Sequence, residues 1–71
     1  MRLQVNTSGA WRDVVSFDSK FRREVQTHAV PLAKALGVAN EGRKYPSWRI
    51  SEDGRTAVAY LEAPGYKWRA A

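Results

Sequence analysis

The side chains with the clearest chemical potential in this sequence are basic and aromatic residues that interleave in its second half. They occupy a polar segment and the stretches after it: Arg43, Lys44, Tyr45, Arg49, Tyr60, Lys67 and Arg69, with Trp48 between two of them. Lysine and arginine neutralise phosphates, and tyrosine rings stack on nucleic-acid bases. The pattern therefore predicts a nucleic-acid-binding surface. A strand face rich in Lys and Arg also protects a sheet against aggregation, which is the competing structural interpretation.

No group of residues has the spacing of a catalytic or metal centre. His28 is the only histidine, so a zinc site would lack ligands at any usual spacing. Asp13 and Asp18 could be combined with His28 and a nearby serine, but capping at a strand end and a helix start explains them. Glu52 and Asp53 lie at a predicted tight turn, where turn formation accounts for the aspartate. We expect no enzyme activity, no cofactor and no metal.

The first seventeen residues alternate between apolar and polar side chains, which predicts a β-hairpin. Leu3 is expected opposite Val15 and Met1 opposite Phe17, because a slip of one residue would turn the apolar sets to opposite faces. This register leaves a loop at residues 8–10. It places one set of side chains of the second strand on a common face: Trp11, Asp13, Val15 and Phe17.

The following segment has helical spacing. Apolar residues recur every three or four positions: Phe21, Val25, Ala29, Leu32 and Leu36. Asp18 is a suitable N-cap, and Gly37 is a suitable left-handed residue at the C-terminal end. Pro31 lacks an N–H and crowds the preceding turn, so we expect a kink there, or a break that makes Pro31 the first residue of a second helix.

The dipeptide Asp53-Gly54 between two alternating runs predicts a hairpin with a two-residue turn. Its register would place Trp48 opposite Ala59, and Arg49 opposite Val58 on the other face. Large residues would then face alanines and form a surface on which a helix can pack. The predicted helix-covered residues are Trp48, Ile50, Ala57, Ala59 and Leu61.

A second turn is predicted at Pro64-Gly65, where it would add one more strand to the sheet. On the helix-covered side, the register pairs Leu61 with Trp68 and Ala63 with Tyr66. On the open side, it predicts a charge pair between Glu62 and Lys67 and a cation–π pair between Tyr60 and Arg69.

These elements predict a single α+β domain over residues 1–71. A β-hairpin, one kinked helix and a three-stranded meander would form a small antiparallel β-sheet with the helix packed on one face. The composition, 44% hydrophobic and 27% charged, is that of a folded chain rather than a disordered one. The strand order does not follow from the sequence.

The net charge of +5 and the pI near 10.1 favour an acidic partner. The main hypothesis is a small basic, non-catalytic protein that binds nucleic acid through the basic and aromatic residues. The alternative is an inhibitor or adaptor that docks the same surface on an acidic partner protein. The absence of cysteine, of a signal-like apolar segment and of a membrane-length apolar run predicts a cytoplasmic protein without a membrane partner.

Overall fold

The computed structural model describes residues 1–6, 9–39, 46–62 and 65–71. Within them the elements are β1 (Arg2–Asn6), β2 (Trp11–Ser16), a 3-10 turn (Ser19–Phe21), α1 (Arg22–Ala39), β3 (Ser47–Ser51), β4 (Ala57–Glu62) and β5 (Lys67–Ala70). The strands form one sheet in the order β2-β1-β3-β4-β5, and all neighbours are antiparallel. The predicted α+β class is confirmed, and β1 joins the hairpin to the meander through β3.

The first hairpin begins in the predicted register. Leu3 is opposite Val15, and the backbones of Met1 and Phe17 exchange two hydrogen bonds of 2.8 Å. The register then shifts after Leu3, because β2 contains one extra residue that forms a bulge. The bulge turns the far half of β2 over, so that the prediction of a common face for Trp11, Asp13 and Val15 is wrong.

Beyond the bulge, Asp13 is opposite Gln4 and Trp11 is opposite Asn6. Asp13 accepts a hydrogen bond of 2.8 Å from the Gln4 side chain and one of 3.4 Å from Arg2. These polar partners lie on the sheet face away from α1. An unshifted register would instead place Asp13 opposite Val5 on the helix side of the sheet, away from the Gln4 and Arg2 side chains that it contacts here.

The helix begins and continues as predicted but ends later. Asp18 is the N-cap of the 3-10 turn, where its side chain accepts a hydrogen bond of 3.0 Å from the Lys20 N–H. The chain is helical on both sides of Pro31, which lies inside the single helix α1. Gly37 also lies within α1 and does not end it. Glycine permits a left-handed residue without requiring one, and here the helix extends to Ala39.

The helix packs on the sheet through two alanines, Ala29 and Ala33, which lie one turn apart and are both buried. Small residues at these positions allow the helix to approach the large side chains of the central strands. The core consists of Leu3, Ala29, Ala33, Trp48, Ile50, Ala59 and Leu61. The apolar helix face predicted from sequence is therefore only partly buried, because its members Phe21, Leu32 and Leu36 are 42–48% exposed.

The β3–β4 hairpin differs from its predicted register by two residues. Trp48 is opposite Leu61, Arg49 is opposite Tyr60 and Ile50 is opposite Ala59. A shift of two keeps each side chain on its predicted face, so the expected burial of Trp48, Ile50, Ala59 and Leu61 is confirmed. The pairing shifts again after Ile50, and Ala57 is only half-buried opposite Ser51.

Side-chain hydrogen bonds explain why the β3–β4 connection is longer than two residues. The Asp53 carboxylate accepts hydrogen bonds from the backbone N–H groups of Arg55 (2.8 Å) and Thr56 (2.7 Å). The Ser51 hydroxyl accepts one from the Gly54 N–H (2.8 Å) and donates one to the Thr56 carbonyl (3.0 Å). Together they stabilise a loop of five residues between the strands, in which Gly54 has a φ of +91°.

The β4–β5 register is confirmed. Tyr60 is opposite Arg69, Leu61 is opposite Trp68 and Glu62 is opposite Lys67. Ala63, predicted to face Tyr66, lies outside the described residues. No helix in the described part of the chain has the length and apolar content needed to cross a bilayer.

Candidate functional site

The sheet face opposite α1, here called the open face, carries polar and aromatic side chains from all five strands. Strand alternation and pairing place them opposite the buried core residues. The open face consists of Arg2 and Gln4 on β1, Trp11 and Asp13 on β2, Arg49 on β3, Tyr60 and Glu62 on β4, and Lys67 and Arg69 on β5.

Arg49 lies at the centre of a hydrogen-bond network on the open face. It is only 9% exposed, and it forms hydrogen bonds on two sides. Its Nε donates to the Gln4 side-chain oxygen at 2.7 Å, and a terminal nitrogen donates to the Gly54 carbonyl at 3.1 Å. The Gln4 amide in turn donates to Asp13 at 2.8 Å. This network links β2, β1, β3 and the β3–β4 loop, and it fixes the plane of the guanidinium group.

Trp11 covers this guanidinium group. The central carbon of Arg49 lies 4.3 Å from the Trp11 ring centroid, a cation–π distance. The Trp11 and Tyr60 rings lie 6.3 Å apart at an angle of 49°. Their strands, β2 and β4, are separated by β1 and β3, which is about 14 Å at the usual strand spacing. Both side chains must therefore lean over the sheet toward each other, and together they form what we call the aromatic platform.

Charged side chains surround the aromatic platform. The Arg69 guanidinium group lies 6.0 Å from the Tyr60 ring centroid and 2.8 Å from the Glu62 carboxylate. Lys67 is exposed opposite Glu62, but the ion pair of Glu62 is formed with Arg69 rather than with Lys67 as predicted. On the other side, Arg2 and Asp13 form a pair at 3.4 Å.

Both carboxylates of the open face are thus paired with an arginine, and the face has more cations than carboxylates. Exposed ion pairs contribute only about 0–1 kcal/mol and are screened by salt. Arg69 is 69% exposed, so it can exchange the Glu62 carboxylate for another anion at little cost.

The structure brings together four of the residues predicted from sequence to form the site: Arg49, Tyr60, Lys67 and Arg69. Arg49 differs from the other three because it is buried under Trp11. Trp48 is 2% exposed and belongs to the helix-covered core. The predicted residues Arg43, Lys44 and Tyr45 lie outside the described part of the chain.

Sequence reasoning missed Trp11, Gln4 and Asp13 as parts of this face. The signal that could have identified them is Asp13 itself, a charged residue within an otherwise apolar alternating set. A bulge next to such a residue moves it, and every residue beyond it in the strand, to the other face.

Among the described residues, no three His, Asp or Glu side chains lie close enough together to hold a metal ion. His28 is exposed on α1, on the opposite side of the sheet from the aromatic platform. Comparisons of the chain with protein-family models, with curated proteins and with solved structures gave no match.

Proposed function

We propose that this chain is a non-catalytic protein that binds single-stranded nucleic acid on its open face. Trp11 and Tyr60 would stack on bases, while Lys67 and Arg69 would contact phosphates. The observation that carries the proposal is the placement of Trp11 over the buried guanidinium group of Arg49, beside Tyr60.

This placement suits base stacking because it fixes an aromatic ring in advance. A free tryptophan side chain loses conformational entropy when it orders against a ligand. Here Arg49 contacts one side of the Trp11 ring, and Arg49 is itself held by Gln4 and Gly54. The Trp11 side chain therefore loses its conformational entropy when the protein folds, and not when it binds a ligand. Stacking on such a ring contributes about 1–3 kcal/mol per base and tolerates any sequence.

The phosphate contacts would come from the exposed cations at the β5 side of the platform. Lys67 and Arg69 are two residues apart on one strand and both point to the open face. Arg49, by contrast, is proposed to support Trp11 rather than to contact a phosphate, because it is buried. Arg43, Lys44 and Tyr45 stay predicted contacts on the basis of the sequence alone.

The direct test is fluorescence anisotropy with labelled 20-nucleotide dT and rU oligomers at about 50 mM salt, where the electrostatic contribution is strong. Trp11→Ala is expected to weaken binding by about 1–3 kcal/mol with little change in the dependence on salt. Lys67→Gln is expected to weaken binding to every sequence alike and to reduce the salt slope by about 0.7, the value for one phosphate on a single strand.

The matched control is Lys34→Gln, which removes one exposed cation from α1 on the opposite side of the sheet. It changes the net charge as Lys67→Gln does, and it should leave the salt slope unchanged. Absence of binding to either oligomer, or equal affinity of the wild type and Trp11→Ala, would contradict the proposal.

The competing partner is an acidic protein, since Trp, Tyr and Arg are also enriched where proteins bind each other. A pull-down from lysate with and without nuclease separates the two. Loss of all partners after nuclease treatment is expected from nucleic-acid binding. Retention of one defined protein after nuclease treatment, with loss of that protein in Trp11→Ala, would favour the protein partner instead.

A further inference from the structure

Large hydrophobic side chains are exposed on β2, on α1 and on the 3-10 turn before α1. Among the described residues they are Val14, Val15, Phe21, Leu32 and Leu36, each 42–48% exposed. Val14, Val15 and Leu32 line a groove of about 320 Å³ between α1 and β2, and the other lining residues are Leu3, Glu24, Val25, His28 and Ala29. Phe21 and Leu36 lie outside this lining. Exposed apolar surface around a groove is a candidate for an interaction site.

The groove exists because the helix does not cover the whole sheet. Ala29 and Ala33 rest on the central strands, and Trp68 on β5 donates a hydrogen bond of 2.7 Å to the Gln26 carbonyl of α1. These contacts hold α1 toward the β5 side. The edge strand β2 is left without a helix above it, and Leu32 and Val25 border the uncovered side.

We propose that this α1–β2 groove is the interface of a two-fold homodimer, in which α1 of one copy packs antiparallel against α1 of the other. Two-fold dimers are the commonest oligomers, and their interfaces require a surface that is complementary to itself. A row of apolar side chains on α1 and the 3-10 turn before it meets that requirement through its spacing: the exposed Phe21, Leu32 and Leu36 and the half-buried Val25.

The row is palindromic. From Phe21 to Val25 is four residues, from Val25 to Leu32 is seven, and from Leu32 to Leu36 is four. An antiparallel pairing centred between positions 28 and 29 therefore places Phe21 opposite Leu36 of the second copy, and Val25 opposite Leu32 of the second copy. Every apolar side chain of the row then lies opposite an apolar side chain of the second copy, and the four pairs extend over about four helical turns.

Charge favours the antiparallel over the parallel direction. Lys20, whose Nζ lies 5.2 Å from the Phe21 ring centroid, would lie beside the last turn of the other helix. That last turn contains no basic residue and carries the negative end of the helix dipole. A parallel pairing would instead bring Lys20 and Arg22 close to the same two cations of the second copy.

The groove occupant is a second copy rather than an added strand at the edge of β2. The bulge in β2 breaks the regular pattern of edge hydrogen bonds, and Arg12 and Asp13 are exposed charges on the same strand. Bulges and charges of this kind protect an edge from pairing with another strand. The apolar side chains of β2 therefore remain available to a helix.

Sedimentation velocity from about 5 to 200 µM tests the oligomeric state directly. The wild type is expected to show a concentration-dependent dimer, and Leu32→Glu is expected to raise the dimer Kd at least tenfold. Both Leu32 and the matched control position Thr27 are exposed on α1, so neither change should unfold the chain, which circular dichroism verifies. Thr27→Glu adds the same charge but lies outside the groove lining, and it should leave the dimer intact.

Disulfide trapping tests the direction of the helices, since the chain has no cysteine of its own. A mixture of the Phe21→Cys and Leu36→Cys variants is expected to yield a cross-link between the two. Either variant alone should not cross-link, because equivalent positions would lie about 22 Å apart in the antiparallel pair, whereas a disulfide needs Cα atoms within about 7 Å.

Three results would overturn the proposal. One is a wild-type monomer at about 200 µM, and another is efficient cross-linking of Phe21→Cys with itself, which requires parallel helices. The third is a monomer that binds phosphatidylcholine–phosphatidylglycerol vesicles and loses that binding in Leu32→Glu, which would make a lipid surface the occupant. None of these results bears on nucleic-acid binding, because the open face lies on the other side of the sheet.

Discussion

Arg49 and Trp11 contact each other across an intervening strand. Arg49 is on β3 and Trp11 is on β2, with β1 between them, yet the guanidinium carbon lies 4.3 Å from the indole ring centroid. The contact depends on the bulge in β2, which turns Trp11 to the open face. Arg49, the most buried cation among the described residues, thus donates hydrogen bonds to Gln4 and Gly54 and contacts the Trp11 ring.

The first prediction concerns the chemistry of that cation. Arg49→Lys keeps the charge but loses the planar group that bonds Gln4 and Gly54 at the same time and stacks on Trp11. At least one of the two acceptors would be left unsatisfied in a nearly buried site. We expect a loss of about 1–3 kcal/mol in the free energy of unfolding, measured by urea denaturation.

Lys67→Arg is the reverse substitution at an exposed position of the same face, and it should change stability by less than about 0.5 kcal/mol. An Arg49→Lys variant as stable as the wild type would mean that the network does not stabilise the fold.

The second prediction uses two glycines with nearly the same positive φ. Gly9 has a φ of +92° and Gly54 a φ of +91°. Replacement of either by alanine imposes a strained conformation, which costs on the order of 1 kcal/mol or more. A Cβ at position 54 would also lie 2.7 Å from the Arg2 guanidinium group, whereas nothing lies within 4 Å of one at position 9.

Gly54→Ala must therefore displace Arg2, whose side chain pairs with Asp13 at 3.4 Å. We expect Gly54→Ala to lower the melting temperature more than Gly9→Ala does. Because Arg2 is flexible and exposed, the difference should be small, and it should vanish in an Arg2→Ala background. A difference that persists in that background would show that some other contact of Gly54 is responsible.

The face on which a strand residue lies was predictable where a hairpin register slipped by two residues. It was not predictable where a strand contains one extra residue. A hairpin register that slips by two residues leaves faces unchanged, so the burial of Trp48 and Ile50 was predictable although their partners were not. The extra residue in β2 had the opposite effect on Trp11. The charged Asp13 within an apolar alternating set was the one sign of the bulge, and without it Trp11 is assigned to the wrong face. The aromatic platform was therefore only half predicted, through Tyr60.

The helix shows a second limit. Apolar spacing identified α1 correctly, but spacing alone does not say which part of a wide apolar stripe meets the sheet. The sheet selected Ala29 and Ala33, whose small side chains permit close packing, and left Leu32 and Leu36 exposed. Ala33, one turn beyond Ala29, was not part of the predicted stripe, which continued through Leu32 and Leu36 instead.

The third prediction concerns acid stability. Hydrogen bonds from the backbone N–H groups of Thr56 and Arg55 hold the pKa of the Asp53 carboxyl below its ordinary value of 3.8. A carboxyl with a lowered pKa in the folded state stabilises the fold above its ordinary pKa, and that contribution is lost as the pH falls through the lowered value. Asp53→Asn removes this titration while keeping a side-chain carbonyl acceptor.

The variant should be less stable than the wild type at neutral pH, and the difference should shrink as the pH falls below 3.8. Urea midpoints at neutral pH and at several acidic values measure it. Glu52→Gln removes the neighbouring carboxyl and controls for the change in net charge. A gap between wild type and Asp53→Asn that widens toward low pH would contradict the assignment.

The final prediction concerns Trp68, near the end of the described chain. Trp68 lies opposite Leu61 on the helix-covered face and packs against the core, and its indole N–H donates to the Gln26 carbonyl at 2.7 Å. It therefore connects β5 to α1. Because the residue is half-buried, Trp68→Ala should cost about 3 kcal/mol, the lower end of the range for removal of a large aromatic side chain.

Two substitutions separate packing from the hydrogen bond. Trp68→Phe keeps most of the apolar contact but loses the N–H donor. The lost hydrogen bond should lower the free energy of unfolding by about 0.5–1.5 kcal/mol, and the smaller ring should add a further, minor loss. Unfolding should be followed by circular dichroism, since the substitution removes a fluorophore. If Trp68→Ala melts at the wild-type temperature, the packing of β5 against α1 does not stabilise the fold. If Trp68→Phe is as damaging as Trp68→Ala, the bond to Gln26 rather than ring burial holds the two elements together.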